Sequence, residues 1–83
     1  MKNKVYQQEL KKTQEKLASY GCSFKEYMKD CGRRTDIDLE DLVETCLGQG
    51  VVVGWNGSCN YRVFLLETKE ISIFHPEEVI KIK

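Results

Sequence analysis

The chain has 83 residues, of which 41% are hydrophobic and 31% are charged, and its thirteen basic residues balance thirteen acidic ones. This composition predicts one folded domain spanning residues 1–83, and it disfavours both a strongly basic nucleic-acid binder and a polyacidic mimic of nucleic acid. No apolar run reaches the length of a membrane-spanning helix, so we expect no membrane partner.

The first half of the chain, residues 1–47, has the periodicity of helices. Apolar and aromatic residues three or four positions apart predict a first helix from about Lys4 to Tyr20, which ends at Gly21. Ser23 and Glu26 have the spacing of a capping box, which predicts the start of a second helix that ends at Gly32.

A third helix is predicted from Asp36 or Asp38 to Leu47. Acidic residues in its first turn suit the positive end of the helix dipole. Leu39, Leu42 and Val43 begin an apolar face at helical spacing, and Gly48 follows the last residue of the pattern.

The second half, residues 49–82, is typical of extended chain. Gly50–Trp55 and Tyr61–Leu66 are rich in β-formers, and Asn56-Gly57 between them is a strong hairpin signal. Ile71–Phe74 predicts a third strand, Pro76 begins a short turn, and 79–82 predicts a short last strand.

Both faces of this predicted sheet are apolar. Successive side chains in a strand point to opposite faces of the sheet. Loops of two and of four residues at Asn56-Gly57 therefore assign the side chains of the two strands to the same faces. One face then carries Val51, Val53, Trp55, Arg62, Phe64, Leu66, Ile71 and Ile73, and the other carries Val52, Tyr61, Val63, Leu65 and Phe74. The helices can cover one face, whereas the other needs a curled sheet or a second chain.

In layout, the C-terminal half resembles the small SH3-like barrels. The matching features are the hairpin at Asn56-Gly57, the strand Ile71–Phe74, the one-turn segment at Pro76 and the short closing strand. The resemblance implies a non-catalytic barrel that binds a protein or nucleic acid. The sequence has no acidic loop of the kind that binds proline-rich ligands in this family.

Together, these patterns predict an α+β fold with three N-terminal helices (1–47) packed on a C-terminal, three- to four-stranded antiparallel sheet (49–83). Closure of that sheet into an SH3-like small barrel is the alternative to an open sheet.

The four cysteines are predicted to be free thiols. Met1–Leu10 contains no apolar segment typical of an export signal, so we expect a cytoplasmic, reducing location. Cys22, Cys31, Cys46 and Cys59 contain no closely spaced pair, which disfavours a zinc site, with or without His75. We therefore expect no metal and no cofactor.

Catalytic motifs are absent from the sequence. His75 is the single histidine and lies directly before Pro76, so it is predicted to be an exposed turn residue. Without a second candidate base for a nucleophile, and with most of a short chain committed to its core, we expect no enzyme.

Charge is distributed unevenly along the chain. Residues 1–35 contain nine basic and four acidic side chains, whereas the remainder contains four basic and nine acidic ones. Nucleic acid is therefore an alternative partner. Its phosphates would contact Lys11, Lys12, Lys16, Arg33 and Arg34, and its bases would stack on Trp55 or Tyr61. The acidic residues between Asp36 and Glu44 would repel a phosphate backbone, so we disfavour this alternative.

A protein partner is the favoured hypothesis. Trp55, Tyr61 and Phe74 are aromatic residues that a small helical layer could leave exposed, and interface hot spots are enriched in such residues. Arg62 lies among apolar neighbours and is a candidate anchor. We expect an inhibitor, adaptor or accessory subunit of the kind common among small phage proteins, with a homodimer through the second sheet face as a further hypothesis.

Overall fold

The computed structural model describes residues 3–32 and 36–82. These residues form two helices, α1 (Lys4–Tyr20) and α2 (Phe24–Asp30). They also form five strands: β1 (Leu42–Thr45), β2 (Gly48–Trp55), β3 (Tyr61–Leu65), β4 (Ile71–Phe74) and β5 (Ile80–Lys81). A 3-10 turn at Pro76–Glu78 separates β4 from β5.

Both helices begin and end at local signals in the sequence. The Asn3 side chain accepts hydrogen bonds from the first backbone N–H groups of α1, and Gly21 ends the helix with a left-handed φ of 72°. Ser23 and Glu26 form the predicted capping box at the start of α2. The predicted bounds of the first helix, Lys4 to Tyr20, are thus confirmed.

The predicted third helix is wrong. The described residues form two helices and five strands, whereas the sequence predicts three helices on a three- to four-stranded sheet. Asp38 accepts a hydrogen bond from the Leu39 N–H, and Asp41 accepts one from the Asp38 N–H. Such local bonds compete with helix formation. Glu40 has a positive φ of 69°, and Val43 is then buried in β1.

The sheet is antiparallel throughout, with the strand order β4-β3-β2-β1-β5. Consecutive strands β1 to β4 form a meander, and β5 returns to pair with the outer edge of β1. Lys81 of β5 strengthens this return, because its Nζ donates to the Asp36 carbonyl at 2.9 Å and lies 3.3 Å from the Asp41 carboxylate.

A β-bulge at Val53 changes the predicted faces. On the N-terminal side of the bulge, Val51 pairs with Phe64 and Val52 with Val63, so these residues lie on the predicted faces. On its C-terminal side, Gly54 pairs with Arg62 and Trp55 pairs with Tyr61. The extra residue reverses the parity at the end of β2, so the placement of Trp55 on the face of Phe64 is wrong.

Two apolar clusters cover the two faces of the sheet. The small cluster lies under the first half of α1 and consists of Tyr6, Val53 and Phe64. The large cluster lies on the opposite face, where α2 contributes Phe24 and Met28. Its other members are Leu17, Ile37, Val43, Val52, Trp55, Tyr61, Val63, Leu65, Phe74 and Val79. The chain therefore buries the apolar residues of the second face itself, whereas the face under α1 is covered only in part and leaves Ile73 48% exposed.

The prediction that all four thiols are free is also wrong. A disulfide joins Cys31, at the end of α2, to Cys59 in the loop between β2 and β3, with Cα atoms 6.5 Å apart. Cys22 and Cys46 are free thiols. Residues distant in sequence meet here because α2 packs beside the hairpin, a proximity that cysteine spacing does not reveal.

Among residues 3–32 and 36–82, no helix combines the length and the apolar character needed to cross a membrane.

Candidate functional site

A groove on the described surface lies between α1 and the hairpin of β2 and β3. We call it the α1–hairpin groove; its volume is about 810 Å³. One wall is the face of α1 from Glu9 to Tyr20, and the other is formed by the end of β2, its turn and Arg62 of β3. Tyr27 of α2 closes the end beside Tyr20.

Aromatic rings form the base of the α1–hairpin groove. The Tyr27 ring lies 4.4 Å from the Trp55 ring, and Tyr20 stacks on Tyr27 at 5.6 Å between centroids. Trp55 is 9% exposed and Tyr20 is 56% exposed, so the array passes from the core to the surface. Lys16 places its Nζ 5.9 Å from the Trp55 centroid, within reach of a cation–π contact.

Charged side chains of both signs surround these rings. Arg62 donates to Glu9 Oε1 at 2.6 Å, and the two side chains are 31% and 19% exposed. Lys12 and Lys16 lie on the α1 wall together with Glu15. The ion pair holds Arg62 across the groove, and the lysines and Glu15 offer further charges to a ligand.

A close contact between α1 and the bulge positions the groove. The Thr13 hydroxyl, which is buried, donates to the Val53 carbonyl at 2.6 Å. Gly54 permits this approach, because a Cβ at that position would overlap the Thr13 hydroxyl. The bulge therefore brings α1 close to the hairpin and turns Trp55 toward α2.

The hairpin turn forms a rigid rim of the groove. The Asn56 side-chain oxygen accepts hydrogen bonds from the backbone N–H groups of Ser58 and Asn60, both at 3.0 Å. Cys59 adopts a positive φ of 61° in the same turn and carries the disulfide to α2. Two independent constraints thus fix the position of the turn beside the aromatic array.

The structure brings together two of the predicted site residues, Trp55 and Arg62. Tyr61 is fully buried and Phe74 is 4% exposed, both in the large cluster, so the expectation that these rings form an exposed patch is wrong. Trp55 is also largely buried, although it contributes to the lining of the groove. Arg33 and Arg34 lie outside the described residues.

Sequence reasoning missed Tyr20 and Tyr27 as members of the groove, and it identified Lys12 and Lys16 only as candidate phosphate contacts. Tyr20 and Tyr27 flank the turn between the two helices, which was a signal that their rings could meet.

The titratable side chains of His75 and Tyr6, which lie outside the groove, have structural roles. His75 caps the 3-10 turn, since its Nδ1 accepts from the Glu77 N–H at 3.2 Å. Burial, with the nearby Glu40 carboxylate, raises the pKa of Tyr6, which donates to Glu40 Oε1 at 3.2 Å. Across residues 3–32 and 36–82, no three His, Cys, Asp or Glu side chains form a group that could hold a metal ion.

Comparison of the chain with protein-family models, curated proteins and solved structures finds no match.

Proposed function

We propose that this chain is a small, non-catalytic protein-binding module that holds a segment of a partner protein in the α1–hairpin groove. It would act as an inhibitor, adaptor or accessory subunit of a larger assembly. The observation that carries the proposal is the array of Trp55, Tyr27 and Tyr20, which leads from the core into an open groove.

The aromatic array suits a protein ligand because of its graded exposure. A buried ring such as Trp55 is held rigidly, so it loses little conformational freedom on binding. The exposed ring of Tyr20 offers apolar area and a hydroxyl to the ligand. Binding hot spots are enriched in tryptophan and tyrosine for these reasons.

The charges around the groove favour protein over nucleic acid. A phosphate backbone requires a surplus of basic side chains, whereas Glu9 already pairs with Arg62 and Glu15 lies near the two lysines. Mixed charges instead suit the alternating charges of a polypeptide and set its orientation. A nucleic-acid-binding regulator remains the alternative, with Lys12 and Lys16 beside stacking rings.

The SH3-like resemblance is a proposal too. The meander of β1 to β4, the 3-10 turn and the return of β5 to β1 support it.

We also propose a cytoplasmic accessory role of the phage type, by analogy of size. A reducing cytoplasm would act against the Cys31–Cys59 disulfide, so the redox state of the purified protein tests this part separately.

A capture experiment with matched variants tests the groove. Tagged wild-type chain is incubated with lysate from its native source, one half of it treated with nuclease. We expect a stoichiometric protein partner that survives nuclease, a loss of about tenfold or more in its recovery with Tyr20→Ala, and little change with Leu47→Ala. Leu47 is 57% exposed, close to the 56% of Tyr20, and lies in the turn between β1 and β2, outside the groove.

Two outcomes would contradict the proposal. Equal recovery with both variants would show that the partner does not use the groove. Loss of all partners after nuclease, together with loss of binding in Lys12→Glu with Lys16→Glu, would favour the nucleic-acid alternative.

A further inference from the structure

The outer edge of β4 is an open strand edge. The strand order places β4 at one end of the sheet, and no strand formed by residues 3–32 or 36–82 pairs with its outer side. Natural proteins commonly protect such edges with lysine, proline or a bulge. The sequence of β4, Ile71–Phe74, contains none of these.

The pairing pattern shows which main-chain groups face outward. The Leu65 N–H donates to the Glu70 carbonyl at 2.8 Å, in the same register that pairs Val63 with Ser72. Hydrogen-bonded and non-hydrogen-bonded pairs alternate in an antiparallel ladder. Ser72 therefore directs its N–H and carbonyl toward β3, whereas Ile71 and Ile73 direct theirs to the open side.

The same two isoleucines form an apolar strip beside the open edge. They lie on one face of the sheet, because Ile71 is opposite Phe64 and Ile73 is opposite Arg62. Ile71 packs partly against the small cluster, and Ile73 is 48% exposed. The edge thus offers both main-chain hydrogen bonds and an apolar contact to an added strand.

We propose that two copies of this chain form a dimer by pairing their β4 edges antiparallel, about a two-fold axis at Ser72. In this register Ile71 of one protomer lies opposite Ile73 of its partner, and each such pair exchanges both outward main-chain hydrogen bonds. The four isoleucine side chains then lie together on one face of a continuous ten-stranded sheet.

The structure selects this register over its neighbours. A two-fold axis at Ile73 would pair Ile71 with His75, whose N–H already donates to Glu78 Oε1 at 2.7 Å. An axis at Ile71 would pair Ile73 with Lys69, which has a positive φ of 62° in a turn. Of these three axes, only the one at Ser72 pairs the outward N–H and carbonyl groups of Ile71 and Ile73 with residues that are themselves in a strand and unengaged on that side. This self-complementarity is the reason to assign a second copy as the occupant.

Light scattering after size-exclusion chromatography, over a series of protein concentrations, measures the dimer. The contact of one strand with another is small, so we expect a weak dimer whose population rises with concentration. Ile73→Lys should raise the dissociation constant about tenfold or more, because it places a charge in the isoleucine strip. Ile80→Lys is the matched control, since Ile80 is 66% exposed on β5 at the other edge.

Cysteine cross-linking tests the register itself. In a Cys46→Ser background, Ser72→Cys should cross-link on oxidation, because Ser72 faces its own copy at a Cα separation of about 4.5 Å. Ile73→Cys faces Ile71 of the partner and should cross-link much less. Circular dichroism and thermal unfolding of each variant confirm that the monomer is folded.

Three results would overturn the dimer: a monomer at every concentration, equal weakening by Ile73→Lys and Ile80→Lys, or equal cross-linking at positions 72 and 73. None of these measurements involves the α1–hairpin groove, so the failure of the dimer is distinguishable from the failure of the proposed function.

Discussion

The two faces of the sheet are covered in different ways. The large cluster is enclosed by α2, by Ile37 and by the sheet, and several of its side chains, among them Met28 and Tyr61, are fully buried. The small cluster has three buried members under α1, and its neighbours Leu10, Val51, Leu66 and Ile71 remain partly exposed. We infer that the large cluster supplies most of the stability, whereas the small cluster holds α1 in place.

This difference matters because α1 is one wall of the candidate groove. Three contacts anchor α1 to the sheet face that it covers: the edge-to-face contact of Tyr6 with Phe64 at 5.5 Å, the Thr13 hydrogen bond and the Arg62–Glu9 ion pair. The hairpin wall is fixed by the disulfide and by the Asn56 turn.

The largest expected effect is a difference in the stability lost when one aromatic ring is removed from each cluster. Phe24→Ala should lower the free energy of unfolding by about 3–5 kcal/mol, because it opens a cavity in the enclosed cluster. Tyr6→Ala should cost less, about 1–3 kcal/mol, since the open small cluster can collapse around the missing ring. Urea denaturation followed by circular dichroism measures both. Equal losses would show that the two clusters are equally closed.

A smaller effect is expected at the contact between α1 and the bulge. Thr13→Val keeps the shape of the side chain but leaves the Val53 carbonyl without its donor, which should cost about 1–3 kcal/mol. Thr13→Ser keeps the hydroxyl and is the control. Urea denaturation gives the comparison, and a Ser variant that is the less stable of the two would show that the methyl group matters more than the hydrogen bond.

The smallest effect concerns the pH dependence of the small cluster. The pKa of Tyr6 is raised by burial, with the Glu40 carboxylate adding to the shift, so the folded state favours the neutral phenol. Its contribution is fully present below the unfolded pKa of about 10 and is lost as the pH rises through the raised folded value.

Thermal unfolding between about pH 9 and pH 12 tests this titration. Relative to wild type, Tyr6→Phe should show a shallower fall in unfolding temperature with rising pH. Tyr20→Phe, at an exposed tyrosine, is the control and should follow the wild-type curve. Parallel curves for all three proteins would contradict the role assigned to Tyr6.

Elements with strong local signals could be predicted from the sequence. The helix signals at Gly21 and Ser23 act within a few residues, and the predicted strand Ile71–Phe74 has the observed bounds. Strand β1 could not be predicted, because its pairing with β2 and β5 overrides an apolar pattern that also fits a helix.

The candidate groove was predictable only in part. Trp55 and Arg62 were identified from residue type, but the bulge at Val53 moved Trp55 to the other face. At that bulge Thr13 contacts Val53 and Gly54, which are distant from it in sequence. Tyr20 and Tyr27 meet because the turn between α1 and α2 reverses the chain, which periodicity does not reveal.

The return of β5 to β1 has a consequence for the order of folding during synthesis. A chain that emerges from the ribosome N-terminus first can form α1, α2 and the β1–β4 meander before Ile80 and Lys81 leave the exit tunnel. Until then the outer edge of β1 is open, and the segment around Asp36 and Asp41 lacks the bonds from Lys81. The nascent protein therefore exposes one additional strand edge to misassembly, which closes only when the final strand arrives.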